Sequence, residues 1–304
     1  MEQVKLLSWI ILGLLIAKNV PYLTKNRIDW VRVFAFAYLT PCLFFSSIYR
    51  SDLSLLPSVE LLLTYGLCLG SLFLTLRWWL LTNNQNTASG STIKAIAALY
   101  PNAVGVGVPL VFSLYGAEAE LILMGIVVTN LVIVLPLINV LLIRSGEPGF
   151  YTYRKVATDP ILLSIFAGLI FNLLGIELTP IVINGLDVIS LIALPVILFI
   201  LGASLSLYRI KTLIKEKVFL LLLVKVVLFP LLTLVIATYV FQLRTIETQV
   251  LVILTSLPTG INVYLLSERY QVAKEATASV ILFTTLFSLI SLTLWEIIIN
   301  HLTT

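Results

Sequence analysis

Charge is scarce in this chain: Asp, Glu, Lys and Arg together supply 11% of its 304 residues, against 60% that are hydrophobic. Soluble domains carry about 25% charged residues, so a water-facing globular fold is excluded. Histidine is scarcer still, with His301 alone near the C-terminal end, and Cys42 and Cys68 are the two cysteines. No His/Cys set has metal-ligand spacing, so neither a metal nor another cofactor is expected. Both cysteines fall inside apolar runs, where a disulfide framework has no loops to staple. Carboxylates are missing from the middle of every apolar run. All fifteen Asp and Glu lie in loops or within a turn or two of helix ends, Asp187 being the deepest. Proton-coupled carriers and cation antiporters keep a titrating carboxylate at the membrane midplane, so a proton relay or a cationic substrate is disfavoured. The aspartates are scattered and no nucleophile has a base beside it, so an intramembrane enzyme is disfavoured as well.

Apolar runs are what the chain has in abundance, with a mean hydropathy of +1.08. A helix needs about 20 mostly apolar residues to cross the hydrocarbon of a bilayer. Ten such windows follow one another, at approximately 6–23, 30–49, 58–80, 93–115, 118–143, 158–176, 180–208, 217–241, 246–268 and 273–299. The first follows Lys5 as a signal peptide would, but it lacks a small-residue cleavage site and runs into a basic loop, so it reads as helix 1. The fold class is therefore all-α integral membrane, a single transmembrane domain over 1–304 with no appended soluble domain expected. Basic residues set its orientation, because short Lys/Arg-rich loops stay in the cytoplasm. One side holds Lys18, Lys25, Arg27, Arg32, Arg77, Lys94, Arg144, Arg154, Lys155, Arg209, Lys211, Lys215, Lys217, Arg269 and Lys274; the other holds only Lys5, Arg50 and Arg244. Both termini are thus expected on the non-cytoplasmic side of the plasma membrane. The net charge of +4 is a topology signal, not a nucleic-acid footprint. Trp9, Trp30, Trp78, Trp79 and Trp295 all fall near predicted helix ends, at headgroup level.

Ten helices split evenly make any likeness between halves an inverted repeat, here 1–145 and 153–304. Thr40-Pro41 in helix 2 matches Leu194-Pro195 in helix 7, each followed by a comparable run (CLFF, VILF), and Tyr115 and Tyr270 close helices 4 and 9 at nearly the same offset. Helix 4 crowds Pro101, Asn102, Gly105, Gly107 and Pro109 together, and helix 9 has Pro258, Thr259, Gly260 and Asn262 in the matching place. Proline removes a donor and clashes with the carbonyl four residues back, and glycine loosens the chain, so both helices are expected to unwind near the midplane. Packing alone would account for one proline. Paired Pro/Gly/Asn clusters add polar amides to broken backbone, which hydrocarbon tolerates only within protein or beside a wet cavity, and so point to a central site.

Half-helix N-termini at the breaks would offer N–H donors and positive dipole ends to an anion. Asn102, Thr259 and Asn262 would add side-chain donors. Lys225 is the one basic residue well inside a span, about 12 Å into helix 8 at 1.5 Å per residue. Its ammonium either joins the site or snorkels to the cytoplasmic headgroups.

At these residues the chain resembles the auxin efflux carrier family. The likeness runs over essentially the whole length and is most specific in NAVGVGVPLVFSLYG (Asn102 to Gly116) and LPTGINVYLLSERY (Leu257 to Tyr270), with TPCLFF, DPILLSIFAGLIFNLLGIELTP, ALPVILFILGASL and KVVLFP in support. The resemblance implies two inverted five-helix repeats, divided into scaffold and transport domains, with helices 4 and 9 crossing as broken helices. It implies organic carboxylates as substrates and gives Asn102 the role of the family's substrate-contacting asparagine. The long cytoplasmic loop of many plant members is absent, so regulation through it is not expected. The function expected is a secondary transporter, an efflux carrier, of a small organic anion, a carboxylate such as an auxin-like or dicarboxylic acid, working by alternating access. The bilayer is its surroundings, and the apolar scaffold surface suits a homodimer. A sodium-coupled organic-anion symporter of the bile-acid type is the alternative within carriers, and a non-transporting membrane receptor the alternative outside them.

Overall fold

The computed structural model describes residues 2–20, 22, 24–50, 57–83, 87–145, 158, 160–205 and 218–303. The loop between predicted helices 5 and 6, Arg154, Lys155, Asp159, Arg209, Lys211, Lys215 and Lys217 lie outside these residues. Most of the described residues are helical, as hydrocarbon requires of a chain that has no water to satisfy its peptide groups. Fourteen α-helices occur among the described residues. They are α1 (Glu2–Asn19), α2 (Lys25–Phe34), α3 (Thr40–Arg50), α4 (Val59–Asn83), α5 (Ala88–Ala97), α6 (Val108–Thr129) and α7 (Leu135–Arg144). The series continues with α8 (Pro160–Leu173), α9 (Pro180–Leu205), α10 (Val218–Leu223), α11 (Phe229–Val235), α12 (Thr245–Ser256), α13 (Ile261–Tyr270) and α14 (Lys274–Thr303). Each of the ten predicted spans contains helix among the described residues, and the fourth and ninth are interrupted by the non-helical stretches 98–102 and 257–260. Among the described residues, three unbroken stretches are long and apolar enough to cross a membrane: Val59–Thr82, Glu118–Arg144 and Val218–Val240. The bent pair Lys274–Ser288 and Ile290–Leu302 makes a fourth when taken as one span.

Proline explains most of the interruptions. Five π-helical turns occur among the described residues, Ala35–Leu39, Ala103–Gly107, Asn130–Val134, Val224–Leu228 and Ile236–Val240. The first four each end two residues before a proline: Pro41, Pro109, Pro136 and Pro230. Widening the turn moves the carbonyl that the ring would strike, so the helix continues instead of breaking. The carbonyl that Pro230 cannot serve, Val226 O, accepts from Trp295 Nε1 at 2.9 Å. Trp295 is accordingly buried, its indole serving an internal acceptor. Gly116, at φ +78, turns the chain inside α6, at the boundary predicted between helices 4 and 5.

The chain divides into two compact units. Unit 1 comprises Met1–Leu56, Val108–Met124 and Thr152–Tyr208. Its helices meet backbone to backbone: a Cβ on Gly13 of α1 would stand 2.1 Å from Phe199 O of α9, and one on Gly168 of α8 would stand 3.0 Å from Phe45 O of α3. Small residues permit such close approach, which substitutes for a hydrophobic drive that lipid does not supply. The last carbonyls of α3 are satisfied across the unit, Asn172 Nδ2 donating to Ile48 O and Tyr49 O at 2.9 and 3.0 Å. Asp187, the deepest acid of the sequence, pairs with Arg50 at 2.6 Å, both side chains about half exposed.

Unit 2 comprises Pro57–Gly107, Gly125–Tyr151 and Arg209–Thr304. Leu61, Tyr65, Ile93, Ile96, Leu99, Phe229, Leu251 and Leu254 are fully buried in its core. Ser58 caps α4, its Oγ accepting from Leu61 N at 3.1 Å, while its own N–H donates to Glu247 Oε1 at 3.0 Å. Arg244 in turn holds Glu247 at 3.2 Å. Tyr65 donates its hydroxyl to Asn130 Oδ1 at 2.8 Å, and Tyr270 donates to Asn139 Oδ1. All nine residues singled out as a candidate site lie in this unit.

Candidate functional site: two broken helices that pair

Helix α5 starts at an ordinary cap, Thr87 Oγ1 accepting from Gly90 N at 3.0 Å, and stops at Ala97. Pro101 forces the stop, since its ring disfavours helical backbone at Tyr100 and it has no N–H for Ala97 O. Helix α12 stops at Ser256 in the same way ahead of Pro258. The two breaks then pair with each other. Pro101 and Thr259 form an antiparallel bridge, in which Asn102 N donates to Pro258 O at 2.8 Å and Gly260 N to Tyr100 O at 2.9 Å. Each unwound segment thus satisfies the other, which is how irregular backbone persists away from water.

Every predicted site residue takes a definite place around this bridge. Asn102 is the N-cap of the half-helix that follows: its Oδ1 accepts from Gly105 N at 3.1 Å, and its carbonyl accepts from Val106 N and Gly107 N at 3.1 and 3.0 Å. With Oδ1 committed to the cap, Nδ2 is the group that Asn102 can offer to a ligand. Gly105 is a glycine for Asn102's sake, because a Cβ there would stand 2.7 Å from Asn102 Oδ1. Gly260 is one for the bridge's sake, since its Cβ would meet Tyr100 Cδ1 at 2.8 Å and Pro101 O at 2.9 Å. Asn262, half-buried in the first turn of α13, reaches Tyr100 Oη with its Nδ2 at 3.4 Å.

Two expected ligand donors are engaged inside the fold. The Thr259 hydroxyl donates to Ala97 O at 2.6 Å, the carbonyl that Pro101 leaves without its helical partner, and Thr259 N donates to Thr284 Oγ1 at 3.1 Å. A hydroxyl has one proton, so Thr259 Oγ1 has none to give a substrate. Lys225 is 0% exposed, and its Nζ donates to Leu99 O at 3.0 Å, with the Phe229 ring centroid 5.1 Å away. Its ammonium is turned into the protein, onto a carbonyl at the end of α5, and does not snorkel.

Reasoning from the sequence missed Tyr100 and Thr284. Tyr100 packs under Gly260 and bonds Asn262; its place before Pro101 was a usable signal. Nothing local marks Thr284, which comes from α14. The arrangement leaves two half-helix starts, one capped by Asn102 and one carrying Asn262, side by side with an asparagine amide at each. Backbone N–H groups and amide donors at positive dipole ends favour an anion over a cation.

Comparison with known proteins agrees with a carrier. The family model described as membrane transport protein matches residues 1–150 and 149–296. A protein of Rhizobium meliloti named "Putative malonate transporter" is 27% identical over 287 residues, covering 90% of this chain and 89% of the relative. A protein of Methanothermobacter thermautotrophicus named "Uncharacterized transporter" is 27% identical over 261 residues, covering 85% of each. The chain belongs to the membrane transport protein family, that of the auxin efflux carriers, and is a multi-pass membrane transporter and not an enzyme.

Proposed function

We propose that this protein carries a small organic anion, a carboxylate such as a short dicarboxylic acid, across the plasma membrane by alternating access, and that the crossing of the two broken helices binds it. The observation that carries this reading is the bridge between Pro101 and Thr259, which sets two asparagine-bearing half-helix starts beside each other. A carboxylate there would take hydrogen bonds from Asn102 Nδ2, from Asn262 and from backbone N–H groups at the two starts, all of them donors. The malonate named for the Rhizobium relative fits that chemistry, with two carboxylates for two sets of donors. Ten spans in two inverted five-helix repeats, 1–145 and 153–304, with both termini non-cytoplasmic, complete the proposal. The matched proline clusters and the basic-residue bias support that part.

Thermal unfolding of purified protein against a panel of mono- and dicarboxylates tests the site. A ligand at a hundred times its dissociation constant stabilises the native state by about 2.7 kcal/mol. The informative variant is Asn102→Asp, which keeps a cap oxygen for Gly105 N and replaces the Nδ2 donor with a second, negatively charged oxygen. Stabilisation of wild type by one carboxylate, lost in Asn102→Asp, supports the reading. Equal stabilisation of both proteins removes Asn102 from the site.

A further inference from the structure

Carbonyls at a helix C-terminus lack intrahelical partners and carry the negative end of the dipole. In carriers with broken helices, such ends commonly coordinate a monovalent cation. Three carbonyls at the end of α5 are served by this chain itself: Ala97 O by the Thr259 hydroxyl, Tyr100 O by Gly260 N–H and Leu99 O by Lys225 Nζ. The third donor differs from the other two. It arrives from the π-helical turn Val224–Leu228 of another span, lies wholly out of reach of solvent, and has the Phe229 ring at 5.1 Å on another side. A carbonyl oxygen and an aromatic face are both partners for a cation, and a neutral amine would gain little from the ring. Lys225 therefore sits where an ion would sit, attached to the protein by its own stem.

Resting on the reading of the crossing as the anion site, we propose that the Lys225 ammonium is a built-in monovalent cation that holds the end of α5, so that the crossing is assembled and the organic anion bound without sodium. Lys225 is then a positioning residue, acting on the anion through the half-helix end it neutralises. Sodium-coupled uptake, the alternative raised by the sequence, has its ion replaced by a side chain.

The test is the melting temperature of purified protein as sodium chloride replaces choline chloride at constant ionic strength, with no organic acid present. Wild type is expected to melt at one temperature throughout. Lys225→Ala is expected to melt lower and to be restored, saturably, by methylammonium or sodium but not by choline. Lys225→Met keeps the stem without the charge; it is expected to melt below wild type and to ignore all three cations. A saturable rise of the wild-type melting temperature with sodium overturns the proposal. So does a Lys225→Met protein as stable as wild type, or a folded Lys225→Ala protein that no small cation restores. If the alanine variant does not fold, the wild-type titration and the methionine variant decide. Repeating the wild-type titration with malonate and other carboxylates separates this proposal from the anion reading. Sodium-insensitive melting that no carboxylate raises leaves the resident cation standing and removes the anion.

Discussion

Replacing Gly260 by alanine adds one methyl group where three heavy atoms already stand within 3.0 Å: Tyr100 Cδ1 at 2.8 Å, Pro101 O at 2.9 Å and Tyr100 Cε1 at 3.0 Å. Pro101 O is backbone, and Tyr100 is buried with its hydroxyl at Asn262, so neither can retreat without moving the bridge. Overpacking of this kind costs about 1–3 kcal/mol. The upper part of that range applies if the shift also weakens the hydrogen bonds from Gly260 N to Tyr100 O and from Asn102 N to Pro258 O. Gly70 is the matched control. It sits inside α4 in the same unit, and a Cβ there would meet nothing within 4 Å. Alanine at Gly70 should be neutral or stabilising by up to about 1 kcal/mol, the ordinary helix preference. Denaturant unfolding in one detergent, read by tryptophan fluorescence, compares the two variants with wild type. Gly260→Ala is expected to be the less stable of the two by at least about 1 kcal/mol, and to bind anion more weakly because the half-helix starts no longer meet. A Gly260→Ala protein as stable as Gly70→Ala would refute the view that the two breaks are held together at this contact.

Thr259→Val keeps the shape of the side chain but leaves Ala97 O without its donor; it should lose about 1–3 kcal/mol of stability, whereas Thr259→Ser should stay near wild type, and unfolding curves distinguish them. Asp187→Asn removes a pair whose side chains are 42% and 50% exposed, so its cost should be no more than about 1 kcal/mol and should shrink further in high salt; a larger loss would mean that the pair holds more of unit 1 together than its exposure implies.

The breaks were legible in the sequence because proline and glycine act locally. Pro101 and Pro258 stop α5 and α12 where their chemistry requires it. At Pro41, Pro109, Pro136 and Pro230 the helix instead widens into a π-helical turn and carries on. What the sequence could not show was the partner of each donor. Asn102 and Thr259 looked alike as hydrogen-bonding residues at a break. One caps its own half-helix, and the other reaches 162 positions along the chain to Ala97 O. Lys225 posed the same difficulty: its depth was readable from its distance to Lys217, but a stem of four carbons can turn toward headgroups or protein, and only tertiary packing brings Leu99 O within 3.0 Å. Trp295 shows the same dependence on packing, since nothing local in the sequence pairs its indole with Val226 O, to which it donates at 2.9 Å.

The most direct test of the account is exchange of radiolabelled malonate in proteoliposomes by wild type and by Asn102→Asp, with each protein's melting temperature measured alongside. The account predicts saturable exchange by wild type, competed by other short carboxylates, and its loss in Asn102→Asp at an unchanged melting temperature. Exchange by Asn102→Asp at the wild-type rate, or a folded wild-type protein that exchanges no carboxylate, would contradict it.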